Sequence, residues 1–164
     1  MKKLGAIVLM GMVTMGCYAQ KLAEGSLDAL KGESRMNVEL DYSNAVLKGM
    51  SFKDYVAQEE NWDKGVKEIK AKFVEEFNKS NKGKITIGSF DNAKYTLRID
   101  AIKVEKRGTT TADAYIVDAE GKTVAKITKL EGEGGKWGTH LNLMGDGATN
   151  MGAILGKFFK SKVK

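Results

Sequence analysis

From Met36 the chain alternates between apolar and polar positions: Met36, Val38, Leu40 and Tyr42 share one parity, and Asn37, Glu39 and Asp41 the other. Period two predicts a strand with one face on a core. Ser51 then stands three residues before Asp54 and just ahead of Tyr55 and Val56, which reads as the N-cap of a short helix. The pattern next lengthens. Trp62, Val66, Ile69, Phe73 and Phe77 recur every three or four residues while lysines and glutamates fill the gaps, so an amphipathic helix lays one stripe on a sheet. Asn78 to Gly83 supplies its stop, with Gly83 suited to a left-handed cap.

Beyond Gly83 the pattern is mostly strand, over residues 85–87, 95–106, 110–117 and 122–130. Tyr95, Leu97, Ile99 and Ala101 keep one parity but Ile102 and Val104 take the other, which predicts a bulge near Ala101. Asp118-Ala119-Glu120-Gly121 reads as a tight hairpin with Gly121 at positive φ. Gly132 to Gly138 is too glycine-rich for a strand and reads as a mobile loop, after which Leu141, Met144, Ala148, Met151, Leu155 and Phe158 return to helical spacing. The expected architecture is α+β over residues 36–164, a single domain. It is a two-layer sandwich of a mainly antiparallel, four- to five-stranded sheet and two amphipathic helices. Residues 20–35 are polar, with Leu22, Leu27 and Leu30 only weakly periodic, and read as a leader that is flexible or forms a short helix.

Composition adds an address. Lys2 and Lys3 precede an apolar run from Leu4 to Val13, too short to span a bilayer, and small residues follow, so residues 1–19 read as a signal peptide. Cleavage after Ala19 releases a soluble chain beginning at Gln20; cleavage before Cys17 leaves that cysteine for lipidation. The place three residues before Cys17 is Thr14 where lipoprotein signals favour leucine, so soluble release is the favoured reading. The expected location is exported, periplasmic or outer-envelope. Cys17 is the one cysteine, and the folded body therefore relies on its core and not on disulfides. The formal charge of +6 includes two leader lysines, so +4 remains, interleaved with acids along a solvated surface; nucleic acid is not an expected partner.

Chemistry is sparse. Gly134-Gly135-Lys136 has the look of a phosphate cradle, but Trp137 and Gly138 follow where a Walker loop has Ser or Thr opening a helix. His140 is the single histidine, which excludes a multi-histidine metal site, and no Gly-x-Ser-x-Gly elbow exists. The acids lack calcium-loop spacing, so neither a metal nor another cofactor is expected, and no catalytic residue is assigned. What remains is contact chemistry. Lys136, Trp137 and His140 lie around the glycine-rich loop, and Trp62 and Phe73 lie on the helix stripe; a catalytic role for His140 is weighed against a helix cap or surface histidine. Phe158 and Phe159 are adjacent and cannot both face inward; Lys157, Lys160, Lys162 and Lys164 beside them read first as a last turn that complements the helix dipole, and in the alternative as a basic tail suited to an anionic membrane.

The strand Tyr95 to Val104, the hairpin Ala114 to Ala125 around Asp118-Ala119-Glu120-Gly121, and the ending Leu155-Gly156-Lys157-Phe158-Phe159 carry a resemblance. Together they resemble the small exported proteins and lipoproteins of Gram-negative envelopes, families of unknown function. That resemblance implies an accessory role in the envelope with no catalytic motif. The expected function is a non-enzymatic binding or accessory module whose partner is a protein or another envelope component. The alternative is a carrier of a small apolar ligand held between helices and sheet around Trp62, Phe73 and Trp137. Membrane association would come through a lipidated Cys17 or the basic C-terminal helix.

Overall fold

The computed structural model describes residues 20–163, so residues 1–19, read above as a signal peptide, and Cys17 among them lie outside the described residues. The elements are β1 (Lys21–Gly25), a 3-10 turn (Leu27–Leu30), β2 (Arg35–Asp41), β3 (Val46–Leu47), β4 (Met50–Ser51) and α1 (Phe52–Val56). They continue with α2 (Trp62–Asn81), β5 (Thr86–Gly88), β6 (Tyr95–Val104), β7 (Thr110–Asp118), β8 (Thr123–Gly132) and α3 (His140–Lys162). The class is α+β as expected, but the sheet is larger than expected and mixed. Its order is β1-β8-β7-β6-β2-β5, with the short β3 pairing β4 and β6. From β1 to β6 the neighbours are antiparallel; β2 then runs parallel to both β6 and β5.

The parallel half has a mechanical cause. Two parallel neighbours need a long crossover, and α2 supplies one between β2 and β5. Asn78 near its end ties the helix to β5, donating from its amide to the Ile87 carbonyl (3.0 Å) and accepting from the Ile87 N–H (2.8 Å). Residues 20–35 are not a loose leader: β1 adds an antiparallel edge strand to β8, and Leu27 and Leu30 of the 3-10 turn are buried. An edge strand is held by one ladder of backbone bonds, which asks little of the side chains.

Local signals read from the sequence are realised. The Ser51 hydroxyl caps α1 by accepting from the Asp54 N–H (3.2 Å). The register of β6 on β7 slips between Ala101 and Lys103, leaving Ile102 bulged outward, and Gly121 turns the β7–β8 hairpin at φ 80°. At the end of α2 the left-handed residue is Lys82 as well as Gly83.

Both long helices cover one face of the sheet and run parallel to each other. Gly65 of α2 meets Leu141 of α3, whereas Gly156, near the end of α3, meets Phe77 and Ser80 near the end of α2. Phe73, Phe77 and Phe159 are fully buried between them, with ring centroids 6.3 Å and 5.3 Å apart along the row. Phe159 therefore takes the inward place of the adjacent pair and Phe158 is half-buried. The sheet's other face carries a polar ladder in which Arg98 pairs with Asp100 (2.9 Å) and Lys126 with Asp113 (3.2 Å), with the Tyr115 ring between the two cations. No helix among the described residues is long and apolar enough to cross a membrane.

Candidate functional site

Because α2 and α3 are parallel, their first residues share one end of the molecule, where β6 finishes and β7 begins. There Trp62 is buried in an aromatic cluster with Tyr42 (5.6 Å), Phe52 (5.4 Å) and Tyr55 (5.9 Å), all edge-on. His140, the first residue of α3, extends the cluster. Its Nδ1 lies 2.7 Å from the Tyr55 hydroxyl and its Nε2 2.9 Å from the Glu105 carbonyl oxygen. A carbonyl only accepts, so Nε2 carries a proton, and with burial favouring the neutral imidazole Nδ1 accepts from the Tyr55 O–H. Both ring nitrogens are thus engaged. His140 bridges α1, α3 and the β6–β7 connection.

Burial holds the His140 pKa below the ordinary imidazole value, and the nearby Lys48 ammonium pushes the same way; the Glu105 carbonyl and the Glu59 carboxylate oppose them. The positive end of the α3 dipole disfavours imidazolium too. Tyr55, desolvated and 3.4 Å from a Glu59 carboxylate oxygen, is pushed up to about 12 and stays protonated. A base whose folded pKa is depressed stabilises the fold above its unfolded pKa of about 6.5, and that contribution is lost as pH falls below this value through the folded pKa. His140 is the chain's one histidine, which isolates the effect. Thermal melts between pH 7 and pH 5 should show stability falling with pH, and His140→Leu should flatten the curve over that range; an unchanged slope in the variant would remove His140 as its cause.

The segment between β8 and α3 carries Lys136 and Trp137. Its base is pinned: the Glu133 N–H donates to Asn150 Oδ1 (3.2 Å) and the Gly134 N–H to Thr109 Oγ1 (3.2 Å). A Cβ on Gly134 would overlap the Arg107 carbonyl oxygen, so glycine here serves close chain approach and not a phosphate. Thr139 closes the segment by capping α3, its hydroxyl accepting from the Asn142 N–H (3.3 Å). Trp137 between these anchors is 89 % exposed.

The five predicted contact residues do not form one site. His140 and Trp62 are joined through Tyr55, Lys136 and Trp137 are both exposed on the connector, and Phe73 is core. Between helices and sheet, the void bounded by Tyr42, Phe73, Ile99, Ala101, Thr110 and Met151 measures about 10 Å³, room for one water. A larger cleft of about 240 Å³ opens between the first turns of α2 and α3, but its charges largely answer one another, as Lys72 to Asp146 (3.5 Å) and Lys64 to Glu68 (3.9 Å) show.

Sequence reasoning missed the rest of this end of the molecule. Lys48, Lys103, Lys106 and Arg107 are exposed around a basin of about 440 Å³. Val46 (44 %) and Ile102 (51 %) join Trp137 as the large apolar side chains exposed among the described residues. The broken parity at Ile102 and the run of Lys103, Lys106 and Arg107 were the available signals; Lys48 joins them only through the pairing of β3 with β6.

No protein-family model matches the chain, and no curated protein sequence matches it. Among solved structures, the chain is similar to the PelC dodecamer from Paraburkholderia phytofirmans, at 10 % identity and a TM-score of 0.41, over 85 % of this chain and 97 % of that one.

Proposed function

We propose that this chain is an exported envelope protein that works by binding and not by catalysis, with its contact surface at the Trp137 end. The observation that carries the reading is a tryptophan 89 % exposed on a segment whose base is fixed by two backbone N–H groups donating to side-chain oxygens and by a helix cap. Exposure of so large an indole has no use in folding, whereas a presented aromatic beside cations is the usual make-up of a binding hot spot. Trp137→Ala should change stability by less than about 0.5 kcal/mol, because the ring leaves no cavity behind.

The reading is tested in the native envelope by placing a photo-crosslinking amino acid at position 137 and, as a control, at exposed Glu120 in the opposite hairpin. Adducts identified by mass spectrometry, whether with protein or lipid, should form from position 137 and not from 120. Equal labelling at both, or none at 137, would overturn the assignment of this end as the contact surface.

A further inference from the structure

We infer that the partner of the Trp137 end is an anionic membrane surface, on which the molecule sits with its strands pointing toward the bilayer. The inference rests on the binding-module reading and names its partner. Three observations combine. First, Val46, Ile102 and Trp137, the large exposed apolar residues, all lie at one end of the sheet. Val46 and Ile102 face away from the helices, since their neighbours Leu47 and Ala101 are buried, while the connector that carries Trp137 packs on the helix side, Gly135 against Leu143 and Asp146 and Gly138 against Asn142 of α3. No single groove holds them, but a flat deformable surface laid across the rim touches all three. Indole and aliphatic side chains of this kind favour the boundary between headgroups and acyl chains.

Second, the spaces between them are cationic. Lys48, Lys106, Arg107 and Lys136 are exposed and make no ion pair among the described residues, and Lys103 is paired with Glu105 (2.8 Å). Toward Trp137 the acids Glu131, Glu133, Glu59 and Asp146 offset part of this charge, Asp146 being paired with Lys72, but around the basin beside Val46 and Ile102 the four cations Lys48, Lys103, Lys106 and Arg107 meet one acid, Glu105, so positive charge is in excess there and complements anionic headgroups. Third, the chain reaches the fold from this direction. In the antiparallel register Lys21 pairs with Thr128 and Gly25 with Ala125, so β1 begins on the side of Gly132. The residues from Cys17 to Lys21 span at most about 14 Å when extended. An acyl group on Cys17 would hold this rim, and not the lysine-rich ends of the helices, at the bilayer.

The test uses residues 20–164, which contain every element among the described residues, in co-sedimentation with vesicles of phosphatidylcholine alone and of an equal mixture with phosphatidylglycerol. Binding should occur to the mixed vesicles and not to the neutral ones, with a blue shift of tryptophan emission, since Trp62 is already buried and Trp137 reports the change. Trp137→Ala should weaken the partition constant about tenfold. Lys106→Glu with Arg107→Glu should weaken it by more than about 25-fold, at roughly fivefold for each cation lost. Lys160→Glu with Lys162→Glu, on the opposite end, should leave binding unchanged. Absence of binding to the mixed vesicles, or loss that follows the Lys160 and Lys162 pair and not the rim, overturns the inference. If vesicles fail while a crosslinker at position 137 captures a protein in the envelope, the membrane is wrong and the binding module stands; if neither yields anything, both fall.

Discussion

Phe77→Ala should lower the stability of the fold by about 4 kcal/mol, the cost of emptying a phenylalanine-sized site in a close-packed interior. Phe77 is fully buried, 5.3 Å from Phe159 on α3 and 6.3 Å from Phe73 on its own helix, and its backbone lies against Gly156. The surrounding atoms are poorly able to collapse into the gap, because two helices and a sheet border it. A domain of this size has about 5–15 kcal/mol in total, so the loss is a large share of it. Urea denaturation should show the midpoint falling with the slope preserved. Phe158→Ala is the matched control: that ring is half-buried beside the same cluster, and its removal should cost about 1 kcal/mol. Equal losses for the two variants would mean that the aromatic row does not hold α2 to α3.

The legibility of this fold follows the range of its causes. The stripe of α2 was readable because Trp62, Ile69, Phe73 and Phe77 answer to one local period, and all four are buried. The bulge at Ile102, the Ser51 cap and the turn at Gly121 were readable for the same reason, each being settled within a few residues. Strand direction was not. Alternation in β2 is the same whether its neighbours run with it or against it, and only the length of the α2 crossover distinguishes the cases. β1 escaped because four of its five residues are exposed and its place is set by pairing with β8. His140 was recognised as a lone histidine at a helix start, but its partner Tyr55 is 85 residues away, so its engagement as a bridge exists only in three dimensions. Trp137 could be suspected of exposure from its glycine-rich setting; that Val46, Ile102 and the cations share its rim could not.

The glycines of α3 give the other large effect, with a sign opposite to what helix propensity alone implies. A glycine inside a helix costs about 1 kcal/mol relative to alanine, so Gly152→Ala and Gly156→Ala would each stabilise an isolated helix. In the fold, a Cβ on residue 152 would stand 2.6 Å from the Phe73 carbonyl oxygen, and one on residue 156 would stand 2.6 Å from the Phe77 carbonyl oxygen and 2.9 Å from Ser80 Cβ. These obstacles are mostly backbone of α2 and cannot rotate away, so the helices must separate and lift Phe159 off Phe77. Overpacking of this kind costs more than the propensity gain, and each variant should lose about 2 kcal/mol net. The double variant should lose less than twice that, about 3 kcal/mol, because one separation of the helices relieves both clashes and neighbouring sites do not add. Gly65→Ala supplies the contrast: the atoms nearest its Cβ would all belong to the half-buried Leu141 side chain, whose rotatable bonds can yield where backbone cannot. That variant should be neutral or slightly stabilising. If Gly152→Ala and Gly156→Ala instead follow Gly65→Ala in urea denaturation, the spacing between the parallel helices is soft, and close backbone contact is not what draws α3 onto α2.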